Sequence, residues 1–216
     1  MKRLLLIALA FPSVLLAGGP NPGAPFVAAD EAYTRAAETL GSKVATQTFS
    51  LPQSEIFVPQ RIKTLTYGAD LPNSPSLTHY RPQNAWISCD GTIGVTSGRW
   101  IYRGSKEHGW YEIIWAKMTD GSYRILMQHA GDLPRKLNTS PGRKGKRAAC
   151  TGKPPPLPIV APAVGEDFRM GASRDQSLIW SSAVNPAGRV RIVISLWDGT
   201  RHVPVLEDVA PEPVAR

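Results

Sequence analysis

The chain has 216 residues, 42% of them apolar, which is enough material for one ordinary domain, or one domain with a small appendage, built on a hydrophobic core. Its formal net charge of +8 is not spread evenly: Arg135, Lys136, Arg143, Lys144, Lys146, Arg147 and Lys153, with no acid among them, together with Lys2 and Arg3, carry nine of the positive charges and leave the rest of the chain at about −1. The body therefore lacks the basic stripe of a nucleic-acid binder, and nucleic acid is excluded as an expected partner.

At the N-terminus, Lys2 and Arg3 precede an apolar run from Leu4 to Leu16 that is broken only by Pro12 and Ser13 and then gives way to Gly, Pro and Asn. That order is a secretory signal peptide. The run falls short of the roughly 20 apolar residues a membrane span requires. Cleavage after Gly19, with Ala17 at minus three, fits best, so residues 1–19 are read as the signal and the mature protein as soluble, periplasmic or secreted, the alternative being an uncleaved anchor. No Cys follows the run, which argues against a lipid anchor. In an oxidising compartment the only two cysteines, Cys89 and Cys150, are predicted to pair. The bond would close a loop of about 60 residues, worth roughly 4 kcal/mol in the chain-entropy model.

Asp30 to Leu40 reads as a helix, with Tyr33, Ala36, Ala37 and Leu40 on one face and Gly41 as its stop. A weaker helical stretch, Ser42 to Thr48, and a short strand, Glu55 to Pro59, follow. Lys63 to Pro82 gives no clear period and is read as a helical turn and a loop. From Asn84 the pattern sharpens. Asn84 to Cys89 and Thr92 to Tyr102 flank Asp90-Gly91, and Gly109 to Met118 and Ser122 to His129 flank Asp120-Gly121; Asp-Gly between such runs is a strong hairpin signal. Two helices followed by an antiparallel meander place the segment in the α+β class. Residues 135–164 are basic and then proline-rich, and are read as a linker with an extended stretch from Lys153 to Pro158. Ser177 to Val184, Arg189 to Trp197 and His202 to Leu206 form a small C-terminal β-meander within 165–216, expected to dock on the first domain because three short strands build no core alone.

The order of helix, short helix, EIFVP, loop, WISCDGTIGVTSGRW and GWYEIIWAKMTDGSYRILMQHAGD resembles the nuclear-transport-factor-like superfamily, which includes ketosteroid isomerases and polyketide cyclases. It is similar in particular to an uncharacterised exported bacterial branch with the SnoaL-like fold. The resemblance covers residues 26–134. It implies helices packed on a curved, cone-like antiparallel sheet, a pocket on the concave face closed by the first helix, and dimerisation through the open sheet as a common habit of the superfamily. In the isomerase branch a Tyr and two Asp line that cavity. Here the first helix offers Tyr33, but Ile56, Phe57 and Val58 on the first strand, and Gln128 and His129 at the end of the last, stand where carboxylates are sought. No catalytic residue is assigned on this basis.

Read with a period of two, Trp86 and Ser88 share a face, as do Trp100 and Tyr102, Tyr111 and Trp115, and Tyr123 with Met127 and His129. The candidates for lining an apolar ligand cavity are therefore Tyr33, Trp86, Trp100, Tyr111, Trp115 and His129, the alternative being that they are ordinary core and cross-strand pairs. His129 near Asp132 is a further candidate acid–base pair. The histidines, His79, His108, His129 and His202, are widely spaced, so neither a metal site nor a cofactor is expected. Nucleophile-elbow, phosphate-loop, dinucleotide and zinc-protease motifs are missing. Arg143, Lys144, Lys146 and Arg147 form a basic patch that either meets an anionic envelope surface or is solvated linker. Three readings stay open: an exported domain binding a small apolar ligand or a partner, an isomerase, cyclase or hydratase using Tyr33 and His129, and an envelope-associated protein acting through its basic segment.

Overall fold

The computed structural model describes residues 21–58, 60–70, 74–106, 108–132 and 144–210; the signal segment 1–19 and Arg143 lie outside them. Helix α1 spans Ala24–Leu40 and α2 Ser42–Phe49, separated by Gly41 at φ 99°. The first helix begins six residues before Asp30, with Pro25 in its first turn, where a missing N–H costs nothing because that donor has no intrahelical partner. Strands β1 (Ser50–Val58) and β2 (Gln60–Lys63) and helix α3 (Thr64–Asp70) follow. The meander then runs through β3 (Thr78–Ile87), β4 (Ile93–Tyr102), β5 (His108–Lys117) and β6 (Tyr123–Asp132), every neighbour antiparallel. Asp90-Gly91 and Asp120-Gly121 make the turns between β3 and β4 and between β5 and β6, with Gly91 at φ 69° and Gly121 at φ 83°, conformations in which glycine carries no Cβ penalty.

Two parallel pairings make the sheet mixed rather than antiparallel throughout. Strand β1 adds parallel to β6, and β7 (Lys144–Arg147) adds parallel to β3, giving the order β2-β1-β6-β5-β4-β3-β7. The expected linker is thus corrected: three of its basic residues, Lys144, Lys146 and Arg147, stand with Gly145 on an edge strand, with Lys146 opposite Trp86 and Arg147 opposite Ile87. Charge alone hid this strand, because a K-G-K-R segment has neither alternation nor β-branched residues; backbone pairing with β3 holds it.

The C-terminal unit is a four-stranded antiparallel sheet, β11-β10-β9-β8, from β8 (Asp167–Ala172), β9 (Leu178–Val184), β10 (Val190–Trp197) and β11 (His202–Val209). Strand β8 is additional to the three read from sequence; DFRMGA is polar, and most of its residues are only half-buried. Cys89 and Cys150 are bonded to one another, their Cα atoms 5.2 Å apart.

The seven-stranded sheet is covered on both faces. On one lie the helices, with Phe26, Tyr33, Ala37, Tyr111, Trp115 and Ile125 in one cluster. On the other lies the C-terminal sheet, where Val95, Trp110, Ile114 and Met127 meet Ile192, Ile194 and Leu196. Double coverage explains why β5 reads as a nearly unbroken apolar run, as strands buried on both faces do. Each fully buried Ile or Leu here contributes roughly 1.5–3 kcal/mol.

Two irregularities decide which side chains share a face. In β6, Ile114 opposes Met127 while Trp115 opposes Ile125, so Leu126 is an extra residue and the alternation inverts across it. Tyr123 and Ile125 pack with the helices; Met127 and His129 do not. This corrects the strict period-two reading that grouped Tyr123, Met127 and His129. In β3 the register slips in the same way between Pro82 and Asn84, leaving Tyr80 with the helices and Trp86 with the C-terminal sheet.

Candidate functional site

The helix-facing site begins with a stripe on α1. Phe26, Asp30, Tyr33 and Ala37, at spacings of four, three and four, all point at the sheet and are all buried. Around Tyr33 stand Phe49 (ring centroids 5.6 Å), Tyr80 (6.2 Å) and Trp115 (6.4 Å), and Tyr80 in turn packs on Tyr111 at 4.7 Å. The Tyr111 hydroxyl donates to Asp30 Oδ2 at 2.9 Å, and Asp30 is completely buried. The sequence reading, which starts the helix at Asp30, does not identify this carboxylate. With the true start at Ala24, Asp30 falls in the second turn, four residues after Phe26 and three before Tyr33, a spacing that could have placed it inward.

Burial pushes the Tyr33 phenol above its ordinary pKa, a rise that hydrogen bonding to Thr46 and Gln128 partly offsets and the nearby Asp30 charge reinforces. Burial also pushes the Tyr80 phenol upward, helped by Tyr33 and Asp30. Both phenols are therefore neutral hydrogen-bonding groups at physiological pH. Beside them opens a cavity of about 370 Å³ lined by Tyr33, Tyr67, Tyr80, Thr46, Thr64 and Gln128 among others. Thr64 Oγ1 and Gln128 Oε1 are buried at this cavity and accept no hydrogen bond from the protein among the described residues. A more open groove shares Tyr80 and runs past Glu31, Arg35, His79 and Arg81.

Of the residues selected from sequence, the structure brings four to the helix face. Tyr33 lines the cavity; Trp100, Tyr111 and Trp115 form the aromatic core of that face, with Trp100 Nε1 donating to the Gly131 carbonyl and Trp115 Nε1 donating to Thr96 Oγ1. Trp86 and His129 are not with them. Both lie on the opposite face, under the C-terminal sheet, so the sheet itself separates His129 from Tyr33 and the two cannot act on one substrate.

His129 has different company from that expected. Its Nδ1 lies 3.3 Å from Glu112 Oε1, directly across the β5–β6 pair, and 3.4 Å from Asp208 Oδ2 on β11. All three residues are buried, and the Phe57 and Trp110 rings close on the imidazole edge-on at 5.5 and 4.9 Å. Neither partner was legible: Glu112 interrupts an apolar strand, and Asp208 comes from the second sheet.

The basic patch divides. Lys146 and Arg147 are both exposed, and Arg147 Nη1 donates to the Cys89 carbonyl at 2.7 Å in the turn after β3. Lys144 is the first residue of β7.

No protein-family model matches the chain, and no curated protein is significantly similar to it. Among solved structures it is similar to a cystatin-like fold protein from Burkholderia xenovorans, at 13% identity and TM-score 0.42, covering 54% of this chain and 95% of that one. It is also similar to a nuclear transport factor 2-like superfamily protein from Salmonella enterica, at 13% identity and TM-score 0.39, covering 55% and 96%. A third is a nuclear transport factor 2-like protein of unknown function from Shewanella oneidensis, at 16% identity and TM-score 0.36, covering 50% and 93%.

Proposed function

We propose that the cavity between the helices and the sheet binds a small, mostly apolar molecule that carries a hydrogen-bond donor, and that the protein works as an exported binding domain. The observation that supports this most is the pair of buried acceptors, Thr64 Oγ1 and Gln128 Oε1, at a cavity with aromatic walls. Buried polar groups in folded proteins are nearly always paired, and a donor on a ligand would pair these. A volume of about 370 Å³ falls at the lower end of the range typical of small-molecule sites and suits a compact ligand. The tyrosines, held neutral, supply walls and hydrogen bonds rather than a base. Export is supported by Lys2, Arg3 and the apolar run to Leu16, and by a disulfide that suits an oxidising compartment.

The test is native mass spectrometry of the protein purified from its own envelope, beside a Gln128→Leu variant. A stoichiometric small molecule, released on denaturation and lost from the variant, is the expected result. A native protein that carries nothing and retains none of an apolar library would overturn the reading. N-terminal sequencing of the same material should begin at Pro20.

A further inference from the structure

We propose that Glu112, His129 and Asp208 form a divalent-cation site between the two sheets, with zinc as the best-fitting ion. The three side chains come from β5, β6 and β11, and each offers one ligand atom within 4.8 Å of the others. The distances from His129 Nδ1, 3.3 Å to Glu112 Oε1 and 3.4 Å to Asp208 Oδ2, equal an edge of a tetrahedron with metal–ligand bonds of about 2.0–2.1 Å, whose edges are about 3.4 Å. They exceed the roughly 2.7–2.9 Å of a charge-assisted hydrogen bond, and one ring nitrogen carries at most one proton to divide between two carboxylates. One metal ion accepts lone pairs from all three atoms at once.

The surroundings fit a cation held by side chains. Phe57 and Trp110 fix the imidazole ring from two sides and keep bulk water from it. Strand pairing fixes the rest: Glu112 stands opposite His129, and Asp208 opposite Ile192. Arg61, whose guanidinium lies over the Phe57 ring, is committed to Glu55, Asp167 and Ser182. One imidazole with two carboxylates suits zinc, whereas calcium and magnesium take all-oxygen shells of six or more ligands. Because the donors belong to both sheets, the bound ion would fasten the C-terminal sheet to the first, a role separate from the helix-side cavity. The spacing rule for histidines could not detect such a site, since it contains a single histidine and each ligand sits on a different strand.

The experiment uses the full mature chain with its disulfide intact, purified without a polyhistidine tag. Elemental analysis should find one zinc per chain, and after chelation, added zinc should raise the melting temperature with one-site saturation. Cobalt in place of zinc, with one bound water completing the three protein donors, should give the intense visible absorption of tetrahedral coordination. Asp208→Asn and Glu112→Gln keep shape and should fold, which circular dichroism checks, while each weakens zinc binding by at least roughly tenfold. A protein that holds no zinc and whose melting is unmoved by zinc overturns the proposal. So do variants that bind zinc as tightly as the native chain, since the ion would then sit elsewhere.

Discussion

Asp90 and Asp175 each accept the other's backbone N–H, the Asp90 amide donating to Asp175 Oδ2 at 2.9 Å and the Asp175 amide to Asp90 Oδ2 at 3.2 Å. The two turns that carry them, one in each sheet, share a local pattern. Ser88 Oγ donates to Asp90 Oδ1 and Ser173 Oγ to Asp175 Oδ1, both at 2.6 Å, and each serine amide donates to the carbonyl that closes its own turn, Ile93 or Leu178. The Cys89 amide adds a bond to Ser177 Oγ at 2.7 Å. Two like turns thus clasp the sheets together beside the Cys89–Cys150 bond.

Asp175 makes the clasp pH-dependent. Burial alone would raise its pKa, but hydrogen bonds from Ser173, from Ser177 and from the Asp90 amide outweigh it and hold the carboxyl below its ordinary value. A carboxyl lowered in the folded state stabilises that state at pH above the unfolded value of about 3.9, and the contribution is lost as pH falls through the folded value. Asp175→Asn should therefore cost about 1 kcal/mol near neutrality, discounted for the partial exposure of the site, and less at pH 3. Urea unfolding at both pH values measures the difference; an equal cost at each would sink the claim.

The disulfide joins residues 61 apart in sequence, one in the turn between β3 and β4 and one just after β7. A Cys89→Ala/Cys150→Ala chain should lose roughly 4 kcal/mol in the chain-entropy model, less any structure the two clasped turns preserve. Denaturant unfolding of the oxidised and doubly substituted proteins gives that number. A thiol assay on denatured, unreduced protein should count none.

Arg61 is the second tie between the sheets. Its side chain is 4% exposed, and its five N–H groups meet Asp167 Oδ2, Glu55 Oε2, Ser182 Oγ and the carbonyls of Asp167 and Ser182. A lysine keeps the charge but has three donors on a compact head and cannot reproduce this planar fork. Arg61→Lys should cost about 2 kcal/mol, and Arg61→Ala about 3 or more because it leaves Glu55 and Asp167 without their shared partner. If both variants unfold at the native denaturant midpoint, Arg61 is not a tie between the sheets.

The meander could be read from the chain because its information is local: Asp-Gly turns and β-branched runs set β3 to β6 without help from elsewhere. What escaped was decided by distant partners. Strand β7 exists because β3 offers it an edge, and β8 because β9 does. The extra residue at Leu126 moves His129 to the other face, and no composition rule marks it. At the site, Tyr33 was legible from helical spacing, whereas Asp30 required the true helix start, and the Glu112–His129–Asp208 grouping required the second sheet to be in place.

The seating of α1 sets the cavity, and it rests on a glycine. A Cβ at Gly94 would lie 2.5 Å from Phe26 Cγ and 2.6 Å from both Cδ atoms, so the Phe26 ring occupies the space a side chain would need. Phe26 is buried and also packs edge-on against Tyr123 at 5.0 Å, which leaves it little room to yield. Gly94→Ala should destabilise by about 1–3 kcal/mol, the usual cost of overpacking. Phe26→Leu should cost about 1 kcal/mol, and the double variant less than the sum of the two, because the smaller side chain relieves the clash. Denaturant unfolding of all four proteins tests the coupling, and strict additivity would show that Phe26 does not press on Gly94. As Asp30 and Tyr33 follow Phe26 on the same face of α1, Gly94→Ala should also weaken retention of the cavity's ligand while leaving zinc binding on the opposite face of the sheet unchanged.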